Sequence, residues 1–113
     1  MSHSPGRVLS LGRAALGAAL AALLTACSEG GGDPLAARGR QVYLAQCTQC
    51  HNADPALAGP VGPALKGTPR EVVEAKVLRG EYPPGYAPKR PTKVMPPQSA
   101  LAPDIPALAA YLK

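Results

Sequence analysis

The chain has no tryptophan and no phenylalanine, and its only aromatic rings are four tyrosines among 113 residues. Large apolar side chains are scarce, so a small domain built from this sequence needs support beyond its own core. β-branched residues are sparse, and no segment alternates apolar and polar side chains over strand length, which argues against a substantial sheet. No run of Lys and Arg exceeds two residues, and no aromatics are interleaved with them. The formal net charge of +5 therefore does not describe a nucleic-acid surface. Histidine and methionine occur only twice each, and His3 and Met1 stand at the very start. No internal repeat is visible.

Long hydrophobic runs are also missing. The longest, Ala14–Leu24, has 11 residues, against the ~20 that a membrane-spanning helix needs. Arg7 and Arg13 precede it and Thr25-Ala26-Cys27 follows, which is the layout of an export signal rather than of an anchor helix. Leu24-Thr25-Ala26-Cys27 resembles the lipobox of bacterial lipoproteins, in which the chain is cut before the cysteine and that cysteine is acylated. A plain secretory signal with a free Cys27 is the alternative. The expected organisation is a signal peptide over residues 1–26, a lipidated tether over 27–33 and a domain over 34–113. Cleavage would remove Arg7 and Arg13 and lower the net charge from +5 to +3. The tether Ser28–Asp33 is glycine-rich and spans at most ~20 Å, so the domain would stay close to the membrane surface. Two or more acyl chains would make that anchor stable.

Three helices are expected. Asp33-Pro34 supplies an N-cap and a proline at the first helical position, with Leu35, Gly39, Val42, Tyr43 and Gln46 on one face. Thr68-Pro69-Arg70-Glu71 reads as a capping box that opens a second helix through Val72, Val73, Ala75, Val77 and Leu78, closed by Gly80. A third runs from Asp104 to Lys113 with Ile105, Leu108, Tyr111 and Leu112 on one face, and Pro106 is tolerated in its first turn. Between them, Gly59–Pro63 and the stretch from Tyr82 to Pro97, with six prolines, cannot be regular helix. The second is stiff rather than floppy.

Against this background stands Cys47-Thr48-Gln49-Cys50-His51, the attachment pattern of haem c. Two thiols three residues apart near a helix end can add across the two vinyl groups on one porphyrin edge. The next residue then brings its imidazole under the iron, with its other ring nitrogen tied to a backbone carbonyl. A thioredoxin-like pair would need a βαβ context, and a structural zinc site four ligands. The cysteine count fits as well: lipid on Cys27 and thioethers on Cys47 and Cys50 use all three. Beyond the export segment one imidazole, His51, and one thioether, Met95, remain. A bis-histidine iron from this chain alone is thereby excluded, and Met95 is the candidate sixth ligand. Otherwise Met95 is a core or surface methionine, and the distal position is open or filled by Lys, Asn or water.

These residues resemble a class I c-type cytochrome from about Asp33 to Lys113. Gly39 and Tyr43 stand where that family has the glycine and aromatic of its first helix, crossed by the last helix, which ends here in Tyr111-Leu112. Gly59–Gly67 resembles the post-haem loop, and Val94-Met95-Pro96 the methionine ligand loop. The resemblance implies an all-α, cytochrome c-like fold of three to four helices around one covalent haem c. It implies Cys47, Cys50, His51, Pro63 and Met95 as cofactor-binding residues, with His51 and Met95 on the iron and Pro63 packed on the axial histidine. The family's tryptophan contact to a propionate is absent; Tyr82, Tyr86 or Arg90 is its candidate replacement. Leu65, Val77, Leu78, Leu101 and Leu108 are expected to pack against the haem.

With both axial positions filled, the expected function is that of a one-electron carrier rather than an enzyme. It would be lipid-anchored outside the cytoplasm, on the periplasmic side. Its expected partners are membrane redox complexes, a quinol-oxidising donor and a terminal oxidase or reductase, met through transient contacts near Thr48, Gln49 and Lys89–Lys93. The alternatives are a haem c subunit of a larger oxidoreductase complex, or a gas-binding or sensing haem protein in which Met95 does not ligate.

Overall fold

The computed structural model describes residues 32–113; the expected signal peptide and the expected lipidation site Cys27 lie outside the described residues. Helix α1 spans Pro34–Gln46, α2 Arg70–Arg79 and α3 Ile105–Leu112, with a 3₁₀ segment, Ser99–Asp104, leading into α3. No strand occurs among the described residues. None of the described helices is long and apolar enough to cross a membrane.

The start of α1 follows from its sequence: Asp33 is the N-cap, its side chain accepts from the Leu35 N–H at 2.9 Å, and Pro34 opens the helix. Only the middle of the expected face is buried, at Gly39, Val42 and Tyr43. Leu35 and Gln46 are exposed, because α3 crosses α1 at Gly39 and covers neither end. At Gly39 any Cβ would collide with the carbonyl of Ala107 and lie 2.9 Å from the Tyr111 Cβ. The absence of a side chain is what lets the two backbones approach.

Helix α2 differs from expectation at its start. Thr68 does not form a capping box. Its hydroxyl donates to the Leu65 carbonyl at 2.6 Å, and its N–H bonds the same carbonyl at 3.0 Å. The turn before the helix thus consumes Thr68, and Pro69 takes the N-cap position with no side-chain cap. The end is as expected. Gly80 has φ 71°, its N–H reaches Lys76 O, and the Glu81 N–H reaches Ala75 O, which satisfies the last carbonyls.

Helix α3 begins at Ile105, one residue later than expected, with Asp104 as an N-cap that makes no side-chain cap bond. The Asp104 carboxylate instead accepts from Arg38 of α1, with Nε and Nη2 both at 3.1 Å. Val42, Tyr43, Val73, Val77, Ile105, Leu108 and Leu112 form the buried cluster. Tyr43, fully buried, packs its ring on Tyr111 with centroids 5.4 Å apart and planes at 54°.

Candidate functional site

The last turn of α1 carries the Cys-x-x-Cys-His segment. Cys47 N–H bonds Tyr43 O at 2.9 Å, and the chain keeps winding as turns, with Cys50 N and His51 N both bonding Cys47 O. This winding brings Cys47, Cys50 and His51 together in the lining of one cleft. Both thiols are free and half-buried. Burial pushes the Cys47 thiol up to about 11. No strand lies among the described residues, so the βαβ setting of a thioredoxin-like pair is lacking there.

His51 is buried, and its Nδ1 lies 3.0 Å from the carbonyl oxygen of Pro63. With Nδ1 protonated and donating to that oxygen, the lone pair of Nε2 is free for the cleft. The post-cysteine loop builds this arrangement by close backbone approach. Gly62 N and Val61 N both bond Cys50 O, at 2.8 and 3.2 Å, and Gly59 N bonds Gly62 O at 2.9 Å. A Cβ on Gly62 would strike the imidazole of His51, and one on Gly59 the Cys50–Asn52 backbone. Sequence reasoning took this stretch as a loop and missed that two of its glycines are seats for the histidine segment. A glycine-proline-rich run just after a Cys-x-x-Cys-His motif was the available signal. Tyr43 joins the same segment from beneath: its hydroxyl donates to Asn52 O at 2.6 Å. Burial, with smaller contributions from Cys47, Tyr111 and Asp54, pushes that hydroxyl up to about 12.

Met95, half-buried, lines the same cleft. Its segment runs past the end of α2, where a Cβ on Gly80 would sit 3.6 Å from Met95 O, and Gln98 N bonds Val77 O at 2.6 Å. The proline-rich stretch that leads to it opens with a turn at Pro83–Tyr86, closed by Tyr86 N on Pro83 O at 3.2 Å, with Gly85 at φ 81°. Leu65, Val77 and Leu108 line the cleft as expected; Leu78 and Leu101 pack on the buried cluster without lining it. Val73 and Leu112 line it too. The rim carries Tyr82, Tyr86 and Arg90. Tyr82 and Tyr86 stack at 5.4 Å, and the Lys76 ammonium sits 4.4 Å from the Tyr82 ring centre.

Lys89 and Arg90 carry bonds that the sequence did not foretell. Lys89 Nζ donates to Ala64 O at 2.8 Å, and Arg90 donates to Val61 O at 2.5 Å and Gly59 O at 3.4 Å. Lys89 stays exposed while it makes its bond. Thr48 turns back on its own helix, its hydroxyl donating to Leu44 O at 3.0 Å, while Gln49 is exposed at the cleft. No His, Cys, Asp or Glu cluster that could hold a metal ion by itself occurs among the described residues.

The cleft comprises about 1280 Å³ of non-atom space, counting its open mouth. Its apolar wall, two free thiols on one edge, an imidazole whose Nδ1 faces a carbonyl and a thioether in the same lining fit a covalently held haem. Such a group, when bound, supplies a one-electron couple. No curated protein and no solved structure matches the chain. The family model described as cytochrome c does, over residues 36–113. That span takes in α1 from its third residue on, α2 and α3, the Cys-x-x-Cys-His turn and both loops of the cleft, and on it the chain belongs to the cytochrome c family of haem electron-transfer proteins.

Proposed function

We propose that this protein is a one-electron carrier holding a single haem c through thioethers at Cys47 and Cys50, with His51 and Met95 as axial ligands. The observation that carries the reading is the placement of His51 and Met95 in the lining of one cleft with both thiols. The Pro63 carbonyl next to Nδ1 orients the imidazole, Gly62 backs its ring, and the anchored Met95 segment presents the only other soft ligand among the described residues. With both axial positions taken by side chains there is no room for a substrate on the iron, and electron exchange is the chemistry left. Ligation by His and Met also favours a higher potential than two histidines would give.

In this reading the export segment and acylated Cys27 place the protein at the outer face of a bacterial membrane. There it passes electrons from a quinol-oxidising complex to a terminal oxidase or reductase. A tether supplies effective concentration in place of affinity, which suits brief encounters with fixed membrane complexes. Lipid labelling of the exported chain, lost on Cys27→Ser, tests the anchor.

The ligand set is tested by carbon monoxide. The reduced wild type is expected not to bind it at neutral pH, and Met95→Ala to bind it readily. Met95→His should lower the reduction potential by on the order of 100 mV, within the ~0.8 V span that axial ligands command. Ready binding by the wild type would instead favour a gas-binding role.

A further inference from the structure

The two loops that flank the cleft are fastened to each other by the side chains of Lys89 and Arg90. Lys89 and Arg90 come from the stretch that ends in Met95, five residues beyond Arg90. Their acceptors, Gly59 O, Val61 O and Ala64 O, belong to the loop that seats His51. The bridged carbonyls bracket the histidine seat: Val61 O and Ala64 O stand on either side of Gly62, which lies against the imidazole, and of Pro63, whose O lies 3.0 Å from Nδ1. The bonds span 25 to 31 residues of sequence. The Met95 stretch has a second fastening at its other end, Gln98 N on Val77 O. Between these two points it has no regular helix or strand, and Pro91, Pro96 and Pro97 limit its backbone to few conformations.

We infer that Lys89 and Arg90 are positioning residues that strap the Met95 loop shut over the cleft. They set how often the sixth ligand leaves the iron and how readily an outside ligand enters. The inference rests on Met95 ligation. It follows from the geometry: with one end of the stretch tied to α2, opening can only swing the Lys89–Met95 part outward, and that motion must break these three charge-assisted bonds. Arginine suits the post because its rigid planar fork presents separate nitrogens, Nη1 and Nη2, to the two carbonyls, where lysine would offer one nitrogen on a flexible stem.

The test is imidazole binding to the oxidised, haem-loaded full chain, with the absorption spectrum as readout. Lys89→Ala/Arg90→Ala is expected to raise imidazole affinity about tenfold to a hundredfold, as the loss of charge-assisted bonds from the closed state implies. Arg90→Lys should fall between the wild type and Arg90→Ala. Lys93→Ala removes an exposed charge from the same stretch and should leave affinity unchanged. An effect of equal size from Lys93→Ala would make charge alone responsible and overturn the strap. So would an unchanged affinity in the double variant, whether or not its melting temperature falls. A shift in reduction potential with unchanged imidazole affinity would assign Arg90 to the charge of the bound group instead, and again overturn it. Met95→Ala separates this from the ligand reading. If that variant binds imidazole no better than the wild type, Met95 does not ligate and the strap falls with it; if it binds far better while the double variant does not, only the strap fails.

Discussion

A single methylene decides the seat of the histidine. Gly62 lies against the His51 imidazole so closely that a Cβ would overlap the ring. Gly62→Ala must therefore push the ring or the loop aside, at a cost of about 1–3 kcal/mol for overpacking. The haem-loaded variant should melt earlier and show a broadened or altered ferric spectrum, since the ring can no longer meet the Pro63 carbonyl squarely. Spectra and melts identical to the wild type would show that the loop yields freely. Tyr43 gives a second residue-scale outcome. Its hydroxyl, pushed up to about 12 by burial, stays protonated in the folded chain while an unfolded chain releases that proton near 10. The folded state then binds more protons between these values, so stability falls as pH rises from about 10 to 12. Denaturant unfolding at pH 9 and pH 11 should show that loss, and Tyr43→Phe should flatten it.

At the scale of elements, the crossing of α1 and α3 hangs on Gly39, whose missing side chain admits the Ala107 carbonyl. Gly39→Ala gains helix propensity of about 1 kcal/mol, yet forces the helices apart. A net loss of about 1–3 kcal/mol is expected in urea unfolding of the loaded protein, and a stabilised variant would contradict the crossing. Arg38 and Asp104 link the same two helices, but Arg38 is 58% exposed, so their pair adds little. Helix starts and stops were legible where a local rule acts alone, as at Asp33-Pro34 and Gly80. The capping box at Thr68 was not, because the turn from Leu65 claims its hydroxyl, and that turn is set by contacts remote in sequence: Leu65 N and Lys66 N both bond Pro55 O, at 2.7 and 2.8 Å. The chemistry of the cleft was legible at Cys47, Cys50 and His51 because a covalent attachment fixes its own spacing. Lys89 and Arg90 read as solvated charges, since nothing local tells a cation that carbonyls 25 to 31 residues away will meet it.

The whole molecule is held by a wall rather than a sphere. Val73, Val77, Leu108 and Leu112 belong to the buried cluster and line the cleft as well, so the same side chains serve the protein core and whatever fills the cleft. Replacing both Cys47 and Cys50 by serine removes the attachment and should leave a chain largely unfolded, with little helical signal by circular dichroism. A cooperative, highly helical melt of that variant would mean that four tyrosines and a handful of valines and leucines suffice alone.

Helix α1 has its own consequence for encounters. Its 13 residues form a rod of about 20 Å, with Asp33 at one tip and the cysteine pair at the other. The cysteine pair therefore stands a helix length away from Asp33, and in the electron-carrier reading a partner that docks over the thioether edge touches that far tip of α1 and leaves its capped start uncovered.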